Sequence, residues 1–468
     1  MDWTVVLLAA QLLWIAGVAI WLVLERRSPE ATLAWIFVLG FLPGIGIPVY
    51  LLAGPRRLRR KRERYAVLRE RIVAQLAALA GRVDAPPDLL RQVRLGLRLD
   101  DSPVVSATEL EIYTDGSSAF AAMESAIASA KRHVHFETYI YDRDETGRRM
   151  LELLAERARA GVEVRLLVDS AGARANARYL APLAAAGGRS AQFNPPRLAL
   201  RWLRWINFRT HRKILVVDGA VGFLGGMNVS DTQTTGRKGE PPWRDTDLRL
   251  AGEAVHALQR AFFENWHFAA GPEELDLDDF PTLAAGPHRL QVLRSGPDRE
   301  VYPIHEFVFA AIAGADERVW ITTAYLIPDA PLLLALRSAA HRGVDVRLLV
   351  PARGDSLYVA AAARAFFDEL LDSGVRIWEY GPAMLHAKTL VVDDELAMVG
   401  SANLDNRSFR LNFEIAAAIY GREAVDRLAA VFRCDLQSAV ELTRLGQARR
   451  PFRTRLFESA ARLFAAIL

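Results

Sequence analysis

Cysteine is almost absent from this chain, since Cys434 is the single cysteine in 468 residues. One cysteine excludes an internal disulfide and any cysteine-based metal cluster. Charged residues make up 24% of the chain and hydrophobic residues 51%, a balance that excludes a disordered or fibrous protein. The length exceeds what one ordinary core accommodates, and it predicts two or three domains.

Net charge is also low, at +4, but it is unevenly distributed along the chain. Residues 54–64 contain seven Lys or Arg and one Glu, and residues 442–468 contain six Arg and one Glu. The intervening residues 65–441 have a net charge of −6. Basic ends around an acidic middle favour contact with an anionic membrane surface. They disfavour a nucleic-acid partner, because such enzymes more often spread basic residues around the site itself.

Charge is missing altogether from two apolar stretches, residues 4–24 and 32–53. A helix over the first stretch would span about 30 Å, the thickness of a bilayer core. The alternative is a secretory signal peptide, but the stretch lacks a basic start and a second apolar stretch follows at once. We therefore predict a transmembrane hairpin. The basic cluster at 54–64 should hold the rest of the chain on the cytoplasmic side of the membrane.

Two parts of the chain repeat one pattern. Residues 161–168 and 343–350 both read Gly-Val-x-Val-Arg-Leu-Leu-Val, an apolar β-branched run typical of a buried strand. Each run follows a strand and a helix, and each leads to a further strand, at 190–193 and 375–378. This order predicts an α/β fold in two similar lobes. The predicted regions are 1–64 (membrane helices and basic segment), 65–100 (linker helix), 101–285 (first lobe), 286–440 (second lobe) and 441–468 (basic amphipathic segment).

The repeat carries the same polar residues at the same spacing in both halves. From each His, a Lys follows at +2, an Asp at +7, a Gly at +14 and an Asn at +17. One short motif of this kind is weak evidence of function, but two copies with matching tails are strong. The residues are His211, Lys213, Asp218, Gly225 and Asn228 in the first half, and His386, Lys388, Asp393, Gly400 and Asn403 in the second.

These residue types suit phosphoryl transfer. On a strand, His and Lys two residues apart point to the same face, so pairing the lobes would gather two His, two Lys and two Asn. One imidazole can attack phosphorus while the other protonates the leaving alkoxide, and Lys and Asn can hold phosphate oxygens. The two lysines supply positive charge, so we expect a site that needs no metal or other cofactor. Either histidine alone would more often be a structural strand residue.

The paired motifs resemble the HKD signatures of the phospholipase D superfamily, and the chain is similar to its bacterial cardiolipin synthases over nearly its whole length. The resemblance implies two lobes around one active site at their interface. It also implies metal-free transfer of a phosphatidyl group through a phosphohistidine. Besides the motifs, the matching stretches are Glu25–Pro29 with Trp35, Thr323–Tyr325 with Pro328–Asp329, Asn403–Ser408 and Leu411–Glu414.

Roles follow from the resemblance. His211 is assigned as the nucleophile and His386 as the general acid, later the base, although the reverse assignment stays open. Lys213, Lys388, Asn228 and Asn403 would hold the phosphate oxygens. The motif aspartates, Asp218 and Asp393, are candidate catalytic residues, with a structural role just before a turn as the alternative.

Two further acids are candidates for orienting the histidines. Glu414 lies 28 residues after His386 and is expected to fix the tautomer of that ring. Asp245 holds the comparable place in the first half. Asp247 stands where the family usually has a His, and this departure leaves its role open. A surface or loop carboxylate is the alternative for Asp245 and Glu414.

For each of two basic segments the sequence allows two placements, at the membrane interface or packed on the protein. Residues 197–209 interleave Arg and Trp with Leu, which fits either an interfacial segment or a helix packed on the second lobe. The C-terminal segment fits an interfacial helix or one docked on the protein core.

The functional prediction is a cardiolipin synthase that joins two molecules of phosphatidylglycerol, with the lipid bilayer and other anionic phospholipids as partners. A phospholipase D that passes the same intermediate to water, or to another alcohol, would use the same residues. A nuclease is disfavoured by the acidic middle, and a non-enzymatic scaffold by two intact motifs. The sequence does not determine the oligomeric state.

Overall fold

The computed structural model describes residues 3–24, 29–42, 90–195, 208–299 and 301–463, with six isolated positions between 44 and 70. The chain divides into two compact units, one holding the N-terminal helices and the other holding all the described strands. The predicted basic cluster at 54–64, most of the linker helix and nearly all of the segment 197–209 lie outside the described residues.

The secondary structure alternates strands and helices through most of the chain. The helices are α1 Trp3–Val23, α2 Pro29–Phe41, α3 Leu90–Asp100, α4 Gly116–Ser129, α5 Glu145–Arg159, α6 Ala181–Ala185, α7 Asp231–Thr234, α8 Ala254–Ala270, α9 Pro303–Ala313, α10 Ala330–His341, α11 Leu357–Arg364, α12 Phe367–Asp372, α13 Asn406–Arg410, α14 Arg422–Leu436, α15 Arg444–Ala448 and α16 Phe452–Arg462. The strands are β1 Val105–Ala107, β2 Glu109–Tyr113, β3 His133–Thr138, β4 Glu163–Asp169, β5 Arg189–Phe193, β6 Arg209–Thr210, β7 Ile214–Val217, β8 Val221–Gly225, β9 Asp247–Ala251, β10 His288–Ser295, β11 Arg318–Thr322, β12 Leu326–Ile327, β13 Asp345–Pro351, β14 Arg376–Tyr380, β15 Thr389–Val392, β16 Leu396–Gly400, β17 Leu404–Asp405, β18 Asn412–Tyr420 and β19 Ala439–Glu441.

The N-terminal unit contains α1, a 21-residue helix whose most apolar window has a mean hydropathy of 2.3 and is 11% buried. Among the described residues it is the one helix long and apolar enough to cross a membrane. The Nε1 of Trp14 on α1 donates a hydrogen bond to the backbone oxygen of Leu39 on α2, at 2.8 Å. The second predicted span, 32–53, is described only in part, so the hairpin stays a prediction.

The large unit contains two mixed sheets that share one strand order. In the first sheet the strands run β2-β9-β8-β7-β3-β4-β5, and in the second the order β18-β16-β15-β11-β13-β14 repeats β9-β8-β7-β3-β4-β5. The strands β3, β4 and β5 are parallel, as are β11, β13 and β14. The Gly-Val-x-Val-Arg-Leu-Leu-Val runs form β4 and β13, which are largely buried as their apolar sequences predict. Mixed sheets with flanking helices confirm the predicted α/β class.

The second sheet extends beyond the predicted lobe boundary at residue 286. Strand β1, predicted for the first lobe, pairs antiparallel with β10 of the second sheet. Just before it, the buried carboxylate of Asp100 at the end of α3 accepts a hydrogen bond from the backbone N–H of Arg294, at 2.7 Å. Burial alone would raise the pKa of Asp100, but the guanidinium groups of Arg294 and Arg299 hold it below its usual value. This buried ion-pair network therefore fixes residues 100–107 to the second lobe.

One apolar cluster joins the two sheets. It contains Val216 and Leu250 from the first sheet, Val391 and Ile419 from the second, and the buried face of α8. Strand β6 also pairs in parallel with β18 of the second sheet. Because the lobes share a core and a strand pairing, the strand ends that carry the two motifs are held in a fixed relation.

Candidate active site

The two motifs lie in extended segments that lead into equivalent strands. His211 and Lys213 come between β6 and β7, and His386 and Lys388 come directly before β15. The sequence predicts that each His–Lys pair lies within a strand. This prediction is wrong by a few residues, since each strand begins directly after its lysine. The reason is that both histidine backbones pair with the opposite lobe: the His211 N–H donates to the carbonyl of Phe413 at 2.8 Å, and the His386 N–H donates to that of Arg244 at 2.7 Å.

Each histidine is held by a carboxylate from the other half of the chain. The Nδ1 of His211 lies 3.0 Å from Glu414 Oε2, and the Nδ1 of His386 lies 2.6 Å from Asp245 Oδ2. The expectation that Glu414 serves His386 is therefore wrong, and Asp245 takes that place. The cause is the pairing of β18 with β6, which carries Glu414 to the first motif.

The carboxylates fix the tautomer of both rings. A carboxylate only accepts hydrogen bonds, so Nδ1 carries the proton in each ring and Nε2 is left for reaction. Burial lowers the pKa of His211 to about 4, against the opposing charge of Glu414, so the ring is neutral near pH 7. Burial alone would raise the pKa of Glu414 and of Asp245, but attraction to the adjacent histidine, with its hydrogen bond and the charge of the nearby lysine, holds both pKa values below their usual range. Burial also lowers the pKa of His386.

Both lysines are buried beside the histidines. The Nζ of Lys213 donates to the carbonyl oxygen of His211 at 2.7 Å, and Lys388 donates to that of His386 in the same way. Burial lowers the pKa of Lys213 to about 7 and also lowers the pKa of Lys388. The charge of each lysine also helps to lower the pKa of the histidine in the other motif.

The asparagines and glycines complete the lining. The Oδ1 of Asn228 accepts a hydrogen bond from the backbone of Ile140 at 3.1 Å, so its NH₂ group is left as a donor. The buried Oδ1 of Asn403 has no hydrogen-bond partner within the described part of the chain. A Cβ at Gly226 would lie 2.1 Å from the Asp245 carboxylate, so only glycine allows this approach. Potential metal ligands form no group of three among the described residues.

The motif aspartates lie at the opposite ends of their strands from the histidines. The carboxylate of Asp218 accepts hydrogen bonds of 2.8–3.0 Å from three consecutive backbone N–H groups, those of residues 131–133. Asp393 does the same for residues 316–318. Both have positive φ, 54° and 48°, at the turn after the strand. Their contacts are structural, and the structure does not bring them to the histidines.

Replacing Asp218 with Ala is expected to lower the free energy of unfolding by about 1–3 kcal/mol, because three backbone donors lose their acceptor. Turnover per folded molecule should stay within a factor of two or so, since the side chain contacts no reacting group. Urea unfolding in detergent and specific activity test this together. Asp218→Asn is the matched control, because Asn keeps one acceptor oxygen and tolerates positive φ. A large loss of turnover with unchanged unfolding would instead place Asp218 in the chemistry.

Asp247 lies next to the orienting carboxylate but does not contact a histidine. Its Oδ1 accepts a hydrogen bond from the backbone N–H of Met227 at 3.0 Å. Burial raises the pKa of Asp247 to about 7, and the charge of Asp245 adds to the effect. The side chain therefore braces the turn that carries Gly226.

Three residues that the sequence did not single out also belong to the site. Tyr139 packs edge-on against the ring of His211 at 5.0 Å, and Trp243 lies 5.1 Å from that of His386. The hydroxyl of Ser401 donates to the Glu414 carboxylate. The sequence gives a signal only for Ser401. It follows the repeated glycine of the second motif, whereas Gly226 follows that of the first.

Comparison with known proteins identifies the family. A model described as cardiolipin synthase, PLD-like domain, matches residues 123–262 and 308–436, which include every motif residue, and a phospholipase D-nuclease N-terminal model matches residues 12–55. The chain is 38% identical to a cardiolipin synthase of Geobacillus kaustophilus, over 99% of this chain and 93% of that protein. It is 35% identical to one of Alkalihalophilus pseudofirmus, over 95% and 90%.

A solved structure shares the fold at low sequence identity. The phosphatidylserine synthase of Haemophilus influenzae matches with a TM-score of 0.63 and 15% identity, over 81% of this chain and all of that one. This likeness concerns the fold alone, and the family rests on the closer relatives. The chain belongs to the bacterial cardiolipin synthases of the phospholipase D superfamily, which are phosphatidyltransferases.

Proposed function

We propose that this enzyme joins two molecules of phosphatidylglycerol into cardiolipin and glycerol by two successive displacements at the paired histidines. The observation that carries the proposal is the crossed pairing of each ring with a buried carboxylate. This pairing orients two imidazoles whose Nε2 atoms serve the same phosphodiester. One phosphodiester replaces another, so the reaction needs no nucleotide as an energy source.

In the first step the Nε2 of His211 attacks the phosphorus of the donor lipid. A P–N bond forms, the P–O bond to the glycerol headgroup breaks, and His386 gives its proton to the departing alkoxide. In the second step His386 takes the proton of an acceptor hydroxyl, whose oxygen attacks the phosphohistidine. The P–N bond breaks, and His211 returns to its starting state.

The two histidines are suited to different roles. Burial lowers the pKa of both rings, that of His211 to about 4, so His211 presents a neutral ring with a free electron pair, as a nucleophile requires. The shorter contact, 2.6 Å, is the one between His386 and Asp245, and a close carboxylate stabilises the imidazolium that a general acid requires. The closer carboxylate at His386 therefore supports His386 as the general acid and His211 as the nucleophile.

The phosphate oxygens require donors in both steps. Lys213 and Lys388 bring positive charge from opposite lobes, and the NH₂ groups of Asn228 and Asn403 add neutral donors. Both lysines donate hydrogen bonds to backbone carbonyls, and an anionic phosphodiester would exchange these partners for its own oxygens. The bound anion would also raise the pKa of both lysines and so keep them charged.

Further parts of the proposal concern the whole chain. The matching strand orders support two pseudo-symmetric lobes with one active site at their interface. The apolar helix α1 and the basic residues 54–64 support a multi-pass protein of the inner membrane with its lobes in the cytoplasm.

Purified enzyme given phosphatidylglycerol in detergent is expected to yield cardiolipin and glycerol in equal amounts, at the same rate with and without EDTA. Thin-layer chromatography and a glycerol assay measure the products. The two lysines supply the charge that a metal would otherwise bring, which is why the chelator should have no effect. Phosphatidic acid as the main product would overturn the synthase proposal in favour of hydrolysis.

A further inference from the structure

The C-terminal helix α16 packs on the second lobe through its polar and small residues. Glu458 and Ala461 are its buried positions. Arg450, just before the helix, pairs with Glu458 and lies 2.8 Å from the carboxylate of Asp368 on α12. In the described residues this segment is therefore docked on the second lobe, which is one of the two arrangements that its sequence allows.

Two large apolar residues of α16, and Leu463 directly after it, lie on the opposite side, in solvent. Phe452, Leu456 and Leu463 are 75%, 57% and 82% exposed. Their spacing places them on one face, because the α-helix repeats every 3.6 residues. An amphipathic helix normally turns such a stripe toward the core. A helix that buries a glutamate and exposes Phe and Leu needs another apolar partner.

Basic side chains border this stripe. Arg453 and Arg455 are exposed on α16, and neither forms an ion pair with any side chain that the structure describes. The one acidic residue of the helix, Glu458, is buried and already paired with Arg450. The exposed face therefore combines apolar side chains with unneutralised positive charge, the composition of a helix that lies on an anionic bilayer.

A second helix extends the same surface. Leu357 and Tyr358 at the start of α11 are 72% and 65% exposed. The ring of Tyr358 lies 6.1 Å from that of Phe457 on α16, which joins the two helices. The lipid-contact surface, as we name it, consists of Leu357, Tyr358, Phe452, Leu456 and Leu463 with Arg453 and Arg455.

The surface begins next to the second motif. Asp355, two residues before α11, accepts a hydrogen bond from the hydroxyl of Tyr325 at 2.8 Å. Burial lowers the pKa of Lys388, and the Asp355 carboxylate is among the charges that partly offset this shift. The N-terminal end of α11 is therefore within electrostatic reach of the catalytic lysine.

We propose that the lipid-contact surface binds the anionic membrane leaflet and so places the second motif beside its lipid substrates. The choice of a bilayer over a second copy of the chain follows from the exposed arginines, and it rests on the lipid substrates of the proposed function. The contact is proposed in addition to the membrane anchor proposed for α1.

Fluorescence quenching by spin-labelled lipid tests the contact in the full chain. With Cys434→Ser as background, Leu456→Cys is labelled with a bimane dye and reconstituted into nanodiscs of phosphatidylcholine with phosphatidylglycerol. Leu277→Cys is the matched control, since Leu277 is also exposed, at 56%, but lies between acidic residues of the first lobe. We expect several-fold stronger quenching at position 456, which should weaken when Arg453→Glu and Arg455→Glu are added.

Two results would overturn the proposal. One is quenching at position 456 no stronger than at 277. The other is a dye that spin-labelled lipid does not quench and that becomes less accessible to solvent as the protein concentration rises. That result would assign the surface to a second copy of the chain. Repeating the measurement with His386→Ala keeps the outcome independent of turnover, so failure of membrane contact and failure of phosphatidyl transfer are distinguished.

Discussion

Replacing His211 with Ala is expected to lower the rate of cardiolipin formation by at least about 10³-fold, because the reaction loses its nucleophile. His386→Ala should have an effect of similar size, since the leaving alkoxide then departs without a proton. Both variants should fold, because the histidines lie at strand ends and not in the apolar clusters. The exposed His341 on α10 provides a matched control, and His341→Ala should retain full activity.

The two variants are expected to differ in the step that fails. A phosphatidyl ester of nitrophenol has a leaving group that needs no proton, so the first displacement can occur without the general acid. His386→Ala should then release one equivalent of nitrophenol per enzyme and stop with the lipid bound to the protein. His211→Ala should release none. Stopped-flow absorbance and mass spectrometry of the quenched protein measure both quantities.

The opposite pattern would interchange the two histidines. Substantial turnover of phosphatidylglycerol in either variant would refute a two-histidine mechanism altogether. The symmetric spacing of the motifs leaves both assignments open at the level of sequence. The two rings differ in the length of their contacts to Glu414 and Asp245, and the nitrophenyl ester tests whether they also differ in role.

The sequence predicts which residues are candidates for this site better than it predicts which of them contact one another. Spacing alone identified His, Lys and Asn in both halves and the order of the strands that carry them. It assigned Glu414 to the nearer histidine in the chain, whereas the structure assigns it to His211, 203 residues away. The pairing of β6 with β18 decides this, and a two-residue strand has no periodicity that a sequence pattern can reveal. The pairing of β1 with β10 was missed for the same reason, since β1 has three residues.

The motif aspartates show that a residue repeated in both halves need not take part in the chemistry. Asp218 and Asp393 recur with the same spacing as the catalytic residues, so repetition alone cannot separate a reacting group from a structural one. Their carboxylates hold backbone N–H groups at the start of β3 and β11, the strands that lie beside the motif strands. Repetition here reflects a turn that each lobe needs in order to present its histidine.

Each histidine contacts a carboxylate from the other lobe, so each carboxylate variant is expected to resemble the histidine variant of the other lobe. Glu414→Gln and Asp245→Asn are each expected to lower turnover by about 10²–10⁴-fold, because the amide no longer fixes the tautomer or stabilises the charged ring. Glu414 belongs to the second motif region but contacts His211, the proposed nucleophile. Glu414→Gln should therefore behave as His211→Ala does and give little nitrophenol in the burst assay, whereas Asp245→Asn should give a burst and then stall.

A matched control is available in the first lobe. The Nδ1 of His133 lies 3.1 Å from Asp279, a buried histidine–aspartate pair at the far end of β3 from the site. Asp279→Asn removes a carboxylate of the same kind without touching the reacting groups, so its burst and its turnover should match those of the unmodified enzyme. Unfolding curves for all three variants separate lost structure from lost chemistry.

The decisive comparison is which histidine variant each carboxylate variant resembles. If Glu414→Gln gave a burst and a stalled intermediate while Asp245→Asn gave neither, each carboxylate would serve the histidine of its own half, against the 3.0 Å and 2.6 Å contacts. If the crossed pattern holds, neither lobe is a complete catalyst, because each provides a histidine that only the other can orient. A lobe expressed alone would then lack activity whether or not it folded, and the duplication would be functional only as a pair.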